Sequence, residues 1–450
     1  MSRLFGTDGV RGVANADLTP EVAFDVGRAG ATVLAHMSDR HRPVIVGRDT
    51  RLSGTMLEAA IIAGVTSVGR DVVSIGVVPT PAVARVTVAE NAAAGVMISA
   101  SHNPIADNGI KFFGPDGFKL SDEIEIEIES LIGSSTLARP TGIDVGVARQ
   151  ALNLGKHYYD ELYSTGVDLS RLHVVVDGAC GAAYAMAPYA MRKMGAIVTE
   201  INCENDGARI NVNCGATHLG PLQTAVRQLI AGGERHVVGV AFDGDADRAL
   251  FVDETGDVVS GDHVMFAIGR YLHDRDSLAG NTIVGTVMSN IGFERALNRH
   301  GIDLVRTAVG DRYVLEHMRS HGFTLGGEQS GHIIDLRRNT TGDGPMTAMT
   351  LFGILSELKT RLHDLVSEVV VAPQILLNVR TSRKDVLENA AVVEAIARAQ
   401  ALLNGSGRLL IRPSGTEPLI RVMAEGDDRA QIERVAAEIA GHIETASRHL

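Results

Sequence analysis

The sequence has no tryptophan, few aromatic residues and no excess of basic ones. Its 450 residues are 4% aromatic, which leaves few flat side chains on which nucleic-acid bases can stack. Lys and Arg number 42 against 54 Asp and Glu, so the formal net charge is −12. Since nucleic acids and anionic membrane surfaces attract basic faces, the composition argues against both as partners. A small anionic ligand can still bind where basic side chains are placed locally.

Cysteine is scarce, and long apolar runs are missing. Cys180, Cys203 and Cys214 form an odd set without CxxC spacing, which excludes a disulfide framework and is typical of reducing compartments. No apolar run reaches the roughly 18 residues that a membrane helix needs. The N-terminal MSRLFGTDGVRG lacks the apolar core of a signal peptide. We therefore expect a cytoplasmic protein.

One pattern does occur three times: three β-branched runs with helix-like stretches between them. The runs are Val44–Gly47, Val72–Val78 and Gly95–Ser99; Val174–Asp177, Ala196–Ile201 and Val237–Phe242; and Thr282–Val287, Asp303–Val309 and Thr324–Gly326. This spacing predicts three similar α/β domains with mixed, largely parallel sheets. Each third run leads into a polar loop, SASHNP, DGDADR or GGEQSGH. Because ligands of open α/β sheets bind at the carboxyl ends of strands, we expect one composite site where the three domains meet.

The last roughly 80 residues follow a different pattern and predict a smaller C-terminal α+β domain. Short strands are expected at Gln374–Arg380, Leu409–Arg412 and Ile420–Met423, and helices at Asp385–Leu403 and Asp428–Ala446. The predicted domains are therefore residues 1–150, 151–255, 256–369 and 370–450.

The segment FDGDADR holds the sharpest chemical signal. Asp243, Asp245 and Asp247 are alternate residues, and on an extended segment they would point to one side. Three such carboxylates repel one another unless a cation neutralises them, and oxygen ligands favour Mg²⁺. This pattern favours a metal site over a solvated acidic turn. A phosphatase of the haloacid dehalogenase type, with Asp243 as nucleophile, remains open as an alternative.

The loops SASHNP and GGEQSGH are less specific when taken alone. A serine in the first loop could be a nucleophile, although the G-x-S-x-G elbow is absent. In the second loop Glu328 and Ser330 are alternate residues that suit sugar hydroxyls, and His332 is a candidate general base. A structural turn explains this second loop equally well.

The segment RPSGTEP near the C-terminus predicts a phosphate site. Hydroxyl side chains, backbone N–H groups around a glycine and two arginines together form an anion nest. Its members are Arg412, Ser414, Gly415, Thr416 and Arg421. Two further polar loops, FGTDGVRG and GRDTRLSG, bring in Asp8, Arg11, Arg48 and Arg51 but indicate no particular chemistry.

Five motifs occur in one order along nearly the whole chain: FGTDGVRG, ISASHNP with DNGIKFF, FDGDADR, GGEQSGH and RPSGTEP. They resemble the α-D-phosphohexomutase family. The resemblance implies a heart-shaped molecule with three α/β domains and a smaller fourth one around a central cleft. It also implies an isomerase that works through a phosphoserine enzyme and a 1,6-bisphosphate intermediate.

Gln329 and the pairing of ISASHNP with DNGIKFF resemble the branch that interconverts glucosamine 6-phosphate and glucosamine 1-phosphate for cell-wall precursor synthesis. The branches that act on mannose and glucose phosphates are the alternative within the family. An aspartate-nucleophile phosphatase and a non-catalytic sugar-phosphate binder are the alternatives outside it.

The resemblance also implies a role for each motif residue. Ser101 would carry the phosphoryl group and, with Asp243, Asp245 and Asp247, bind one Mg²⁺ per chain. Glu328 and Ser330 would hold sugar hydroxyls, and the nest from Arg412 to Arg421 would hold the phosphate that does not react. Lys111 and His332 would be acid or base, while Arg248 and Arg11 would offset negative charge. Sugar phosphates would be the ligands, a glucose or hexosamine 1,6-bisphosphate the activator, and a homodimer is compatible with this assignment.

Overall fold

The structure of the chain, a computed structural model, describes residues 4–6, 8–35, 42–414 and 418–449. Within these residues four β-sheets follow one another along the chain, with seven, five, four and three strands. Among the described residues, no helix combines the length and the apolar character needed to cross a membrane.

The first sheet has the strand order β1-β2-β6-β5-β3-β4-β7. Its strands are β1 (Phe5–Gly6), β2 (Gly9–Val13), β3 (Val44–Arg48), β4 (Val72–Val77), β5 (Ala94–Ile98), β6 (Asp107–Phe113) and β7 (Ala148–Gln150). The accompanying helices are α1 (Pro20–Ala35), α2 (Gly54–Ser67), α3 (Thr80–Ala89) and α4 (Asp122–Leu131).

The second and third sheets have the orders β12-β11-β10-β8-β9 and β14-β13-β15-β16. The second is formed by β8 (His173–Asp177), β9 (Ile197–Ile201), β10 (Val237–Phe242), β11 (Ala249–Val252) and β12 (Val258–Val259), with α5 (Lys156–Ser164), α6 (Met186–Lys193) and α7 (Gly220–Ala231). The third is formed by β13 (Thr282–Thr286), β14 (Asp303–Thr307), β15 (Leu325–Gly327) and β16 (Ile333–Asp335), with α8 (Gly261–His273), α9 (Ile291–Asn298), α10 (Asp311–His321), α11 (Gly344–Leu358) and α12 (Leu362–Val366).

The three α/β sheets share one four-stranded unit. The nine runs expected from the sequence form three parallel triplets, β4-β3-β5, β9-β8-β10 and β14-β13-β15. Each triplet is extended by an antiparallel strand, which is β6, β11 or β16. The sheets are mixed as predicted, although these added strands make the parallel share smaller than expected. The three hairpin turns, residues 99–106, 243–248 and 328–332, are the polar loops singled out in the sequence.

The fourth sheet is antiparallel, in the order β17-β19-β18. Its strands are β17 (Gln374–Arg380), β18 (Gly407–Pro413) and β19 (Leu419–Gly426), and α13 (Ala390–Leu403) and α14 (Arg429–His449) accompany them. The expected helix start at Asp385 is wrong. The helix α13 begins after Asn389, whose side-chain oxygen accepts a hydrogen bond from Ala391 N at 3.0 Å, because asparagine stabilises a helix as its N-cap.

The apolar packing separates the fourth domain from the rest. One continuous core runs from Ile45 in the first sheet to Val369 before the fourth. A separate core extends from Val379 to Ala446 within the fourth domain. The first three domains are therefore fixed to one another by burial of apolar surface, and the last one packs mainly on itself.

Candidate active site

The three hairpin turns meet at one place. Ser101 Oγ in the first turn donates a hydrogen bond to Asp243 Oδ2 in the second at 2.6 Å. His332, which ends the third turn, lies with Nδ1 3.6 Å from Asp247 Oδ1. The strand β6 adds Lys111, whose Nζ lies 3.0 Å from Asp245 Oδ2. The shared topology thus brings residues from three sheets into contact.

Ser101 is buried and has an unusual backbone. It is 1% exposed, and its φ is 51°, in the left-handed region that residues with a Cβ rarely adopt. Its Oγ also lies 3.2 Å from Nδ1 of the neighbouring His102. Burial, and then the charges of Arg248 and Arg11, lower the pKa of His102 to about 4. A neutral imidazole therefore stands beside the serine hydroxyl at neutral pH.

The three aspartates of the second turn form a cluster suited to a cation. They are buried, and one oxygen of each lies within 4.8 Å of the others. Burial, followed by repulsion from Asp247 and Asp245, raises the pKa of Asp243 to about 8. Among the described residues Asp245 Oδ1 and Asp247 Oδ1 have no hydrogen-bond partner. Buried oxygens without a partner are unfavourable, and a hard cation would satisfy both.

The carboxylates converge for a reason different from the one expected. The segment 243–248 is a turn and not an extended strand end, with Ala246 at φ 54° and its N–H donated to Asp243 O at 3.0 Å. From the first domain Thr80, at the start of α3, holds this turn in place. Its Oγ1 and N donate to Asp245 Oδ2 and Asp245 O at 2.6 and 2.9 Å.

A ring of six side chains with alternating charge adjoins the cluster. In order around the ring these are Lys111, Asp8, Lys119, Asp311, His332 and Asp247, and we call them the charge ring. Nζ of Lys111 lies 3.0 Å from Asp8 Oδ2, and Nζ of Lys119 lies 2.6 Å from Asp8 Oδ1. Lys119 also pairs with Asp311, whose Oδ2 lies 3.5 Å from His332 Nε2. His332 to Asp247 and Asp247 to Lys111, each 3.6 Å apart, close the ring across three domains.

The charge ring determines which groups hold a proton. Burial alone would lower the pKa of Lys111, but Asp245, Asp8 and Asp247 outweigh it and raise that pKa. In the same way Asp247 and Asp311 overcome the effect of burial and raise the pKa of His332. Both side chains therefore favour the protonated form, which can donate a proton or neutralise charge.

Two arginines lie close to the serine turn. Arg11 pairs with Asp8 and donates from Nη1 to Asn103 Oδ1 at 3.3 Å. Arg248 donates its backbone N–H to Asp243 Oδ1 at 3.3 Å, and its Nε lies 3.9 Å from Asp247 Oδ1. These guanidinium groups place positive charge beside the carboxylates.

The remaining predicted site residues belong to the third and fourth domains. Oε1 of Glu328 accepts a hydrogen bond from Gly310 N at 3.0 Å, and Ser330 Oγ is buried without a hydrogen-bond partner among the described residues. Arg412 and Arg421 are register partners on β18 and β19, with Ser414 following β18. Gly415 and Thr416 lie outside the described residues.

Sequence reasoning missed Thr80, Lys119 and Asp311 and assigned no role to Asp8. Asp311 follows β14 at the start of α10, and a polar residue at the carboxyl end of a parallel strand is a signal that could have identified it. Lys119 lies in a loop and carries no such signal, because its two partners are 111 and 192 residues away in the chain.

Four family models match the chain in succession. They are described as phosphoglucomutase/phosphomannomutase, alpha/beta/alpha domain I over residues 2–139, domain II over 156–256, domain III over 260–372, and C-terminal domain over 376–442.

Curated relatives match over nearly the full length. A phosphoglucosamine mutase of Symbiobacterium thermophilum is 52% identical over 449 residues, which cover 99% of each chain. A phosphoglucosamine mutase of Thermoanaerobacter pseudethanolicus is 50% identical over 450 residues, again 99% of each chain.

Solved structures share the fold at lower identity. A phosphoglucomutase/phosphomannomutase family protein of Burkholderia thailandensis is 24% identical with a TM-score of 0.83, covering 100% of this chain and 98% of its own. Two structures of Aspergillus fumigatus N-acetylphosphoglucosamine mutase are each 18% identical, over 99% of this chain and 96% of theirs. One is a complex with GlcNAc-6P and magnesium, TM-score 0.66, and the other a complex with glucose 1,6-bisphosphate, TM-score 0.62.

Proposed function

The chain belongs to the phosphoglucomutase/phosphomannomutase family, and from this premise we propose that it is an isomerase that interconverts glucosamine 6-phosphate and glucosamine 1-phosphate. Relatives at 50% and 52% identity over almost the whole chain are phosphoglucosamine mutases, which supports this substrate. The observation that carries the chemistry is the buried Ser101, whose Oγ lies 2.6 Å from the Asp243 carboxylate. The product would feed the synthesis of UDP-N-acetylglucosamine and cell-wall precursors.

In the proposed reaction Ser101 carries a phosphoryl group. A free hydroxyl of the sugar phosphate attacks this phosphorus, a new P–O bond forms, and the bond between phosphorus and Ser101 Oγ breaks. The sugar hydroxyl loses its proton and Ser101 Oγ gains one, so the products are a 1,6-bisphosphate and a free serine. After the bisphosphate has turned around, Ser101 Oγ attacks its other phosphorus, and the bond between that phosphorus and the sugar oxygen breaks. Ser101 loses its proton and the sugar oxygen gains one, so the products are the other monophosphate and the phosphoserine enzyme.

Charge neutralisation is the main demand of such a transfer. Asp243, Asp245 and Asp247, together with an oxygen of the phosphorylated Ser101, would hold one Mg²⁺. The buried Oδ1 atoms of Asp245 and Asp247, which accept no hydrogen bond among the described residues, support this assignment. When bound, Mg²⁺ neutralises charge on the transferred phosphoryl group as a Lewis acid. Arg11 and Arg248 add fixed positive charge. Lys111 and His332 are the candidates for the acid and the base, of which one takes the proton of the attacking hydroxyl and the other gives a proton to the departing oxygen.

Other residues would orient the sugar phosphate. Glu328 and Ser330 would bind its hydroxyls, and the unpartnered Oγ of Ser330 supports this role. Arg412, Ser414, Gly415, Thr416 and Arg421 would hold the phosphate that is not reacting. A 1,6-bisphosphate of glucose or of the hexosamine would restore enzyme that has lost its phosphoryl group.

Four domains with boundaries near residues 150, 255 and 370 belong to this proposal. Each sheet lies within one of these regions, apart from β12 (Val258–Val259), which follows the second boundary and pairs with β11. We also propose a cytoplasmic location, supported by the three cysteines, which form no disulfide. A homodimer is proposed as the assembly.

Identification of the phosphorylated atom tests the chemistry. Mass spectrometry of a peptide spanning Gly95–Lys111 should show an acid-stable phosphate on Ser101. An acid-labile acyl phosphate on Asp243 with release of free phosphate would favour a phosphatase instead. Binding of sugar phosphates without turnover would indicate a non-catalytic binder.

Comparison of substrates tests the specificity. Rates on glucosamine, glucose and mannose phosphates, measured with a bisphosphate activator present, should be highest on glucosamine phosphate. A faster rate on mannose or glucose phosphate would assign the chain to those activities of the family.

A further inference from the structure

A buried arginine, to which the proposed reaction assigns no role, holds the loop that presents Ser101. This loop, residues 99–106, joins β5 to β6 and places Ser101 at φ 51°. Because a residue with a Cβ is disfavoured in the left-handed region, surrounding contacts must maintain this conformation.

Arg51 provides four hydrogen bonds to the backbone of this segment. Its side chain is 0% exposed, and its Nε lies 3.0 Å from Asp49 Oδ2. Its two terminal nitrogens each donate to two main-chain carbonyl oxygens of the serine loop and the residue after it. The four acceptors are Ser101 O at 2.9 Å, Asn103 O at 2.8 Å, Pro104 O at 2.7 Å and Asp107 O at 2.9 Å. All five N–H donors of the guanidinium are thus used, and four of them act on the backbone around one serine.

Asp49, the ion-pair partner of Arg51, is connected to the backbone N–H of Ser101 through the side chain of Ser99. Oδ2 of Asp49 accepts a hydrogen bond from Ser99 Oγ at 2.6 Å. The same Ser99 Oγ accepts the backbone N–H of Ser101 at 2.9 Å. The backbone of Ser101 is thus tied to the Asp49–Arg51 ion pair at both polar groups. Its carbonyl oxygen contacts Arg51 directly, and its N–H contacts Asp49 through Ser99 Oγ.

The loop also has little room to move towards the second domain. Asn211 Nδ2 donates to Ser101 O at 2.9 Å. A Cβ added to Gly244 would lie 2.5 Å from the same oxygen, so the two backbones are in close contact. A displacement of the Ser101 carbonyl would break contacts on both sides.

Only arginine fits this arrangement. Its planar fork presents five donors in fixed directions, whereas the compact ammonium of lysine has three and cannot span four carbonyl oxygens. Lysine would retain the positive charge and lose the geometry, which makes Arg51→Lys an informative change.

We propose that Arg51 is a positioning residue for phosphoryl transfer, which fixes the serine loop so that Ser101 Oγ faces Asp243. The inference rests on the proposed function, in which Ser101 gives and takes the phosphoryl group. Since Arg51 contacts backbone of the loop and not the candidate sugar-binding residues, its loss should slow transfer and leave sugar-phosphate binding unchanged.

The test measures transfer to Ser101 directly. Dephosphorylated enzyme is mixed with glucose 1,6-bisphosphate, the reaction is quenched, and phosphorylation of Ser101 is followed by mass spectrometry. For Arg51→Lys we expect a rate lower by about 10²-fold, the effect of a small misplacement of a reacting atom. The KM for the sugar monophosphate should stay unchanged while kcat falls in parallel with the transfer rate.

Arg28→Lys is the matched control. Arg28 is a buried arginine of α1 in the same domain, with Nη1 3.6 Å from Asp25 Oδ1, and it is outside the serine loop. The same chemical change there should leave the transfer rate unaltered. If the transfer rate falls equally in both variants, the change at Arg51 acts through the stability of the domain as a whole, and the inference fails.

Ser99→Ala provides a second variant in case Arg51→Lys does not fold. It removes the hydrogen bond to Ser101 N and leaves the arginine in place. A transfer rate lower by about tenfold, as expected for one lost hydrogen bond, with unchanged KM would support the inference. A wild-type rate in Ser99→Ala would then overturn it.

The outcomes separate this inference from the proposed function. Wild-type enzyme that never gains phosphate on Ser101 overturns the proposed function, and the inference with it. Wild-type enzyme that is phosphorylated while Arg51→Lys reacts at the same rate per folded molecule overturns the inference alone. In that second case a lower melting temperature would assign to Arg51 a purely structural role.

Discussion

Removal of the Lys119 charge should destabilise the contact between the first and third domains. Lys119 lies between Asp8 and Asp311, and the three side chains are 9%, 20% and 16% exposed. Lys119→Met keeps most of the volume of the side chain and leaves two carboxylates facing each other. Breaking a buried ion pair on one side costs 3–5 kcal/mol, and partial exposure places this case near the lower end, at about 3 kcal/mol.

Calorimetry of the melting transition is the suitable assay. For large cooperative units 1 kcal/mol corresponds to a shift in Tm of about 2 °C, so we expect a decrease of about 6 °C. In the double variant with Asp311→Asn neither charge of this pair remains. The combined loss should therefore be smaller than the sum of the single losses, by about 1–3 kcal/mol.

Arg398→Met is the control for this change. Arg398 forms an exposed pair with Glu394 on α13, with 53% and 74% of the side chains accessible. Its loss should cost less than about 0.5 kcal/mol. The view that the charge ring holds the first and third domains together would be refuted in either of two cases. The Tm of Lys119→Met could equal that of the control, or the stability losses of the two single variants could add up to that of the double variant.

Three further predictions concern the metal, the distal phosphate and pH. Asp245→Asn should abolish most Mg²⁺-dependent turnover, and full activity at limiting Mg²⁺ would remove Asp245 from the metal site. Arg421→Ala should raise KM by about one to two decades, because it removes a charge-assisted contact of about 1.5–3 kcal/mol. The variant should also release bisphosphate from enzyme pre-labelled at Ser101. A wild-type KM without such release would contradict this prediction. Burial raises the pKa of Asp343 from 3.8 to about 6, so its stabilising contribution is complete below pH 4 and lost as pH rises through 6. The Tm of Asp343→Asn relative to wild type should accordingly be higher at pH 7 than at pH 4.5, by the equivalent of about 2 kcal/mol, and a difference independent of pH would show that this aspartate does not titrate there.

The central parallel strands β3, β8, β10 and β13 were predictable because they are apolar runs buried on both faces. Val237–Phe242 is such a run, and the structure places β10 at the same residues. The strand β6 (Asp107–Phe113), which pairs antiparallel with β5, begins with polar residues and contains Gly109. It therefore lacks the continuous apolar pattern that predicts a buried strand. A Cβ at Gly109 would lie 2.5 Å from Ser99 O, so this glycine reflects a close approach of the serine loop.

The site was predictable where its chemistry lies within one short segment. The spacing of Asp243, Asp245 and Asp247 was enough to group them as a cluster that could hold a cation, although the turn at Ala246, and not an extended chain, brings them together. Lys119 and Asp311 could not be paired, since 192 residues separate them and only the packing of two domains makes them neighbours.

The contact between the third and fourth domains differs in kind from the contacts that form the site. Its centre is Glu425 of β19, which is fully buried and accepts hydrogen bonds from Arg408 Nε at 2.7 Å and Ile291 N at 3.1 Å. Asn290 joins them by donating to Ala372 O at 3.1 Å. Polar contacts of this kind permit relative domain motion more readily than a shared apolar core does. The first three domains share such a core around the serine and the carboxylates, so the reacting atoms stay fixed to one another. The fourth domain carries the residues proposed to bind the distal phosphate. We therefore expect this domain to move relative to the other three while the bisphosphate turns around.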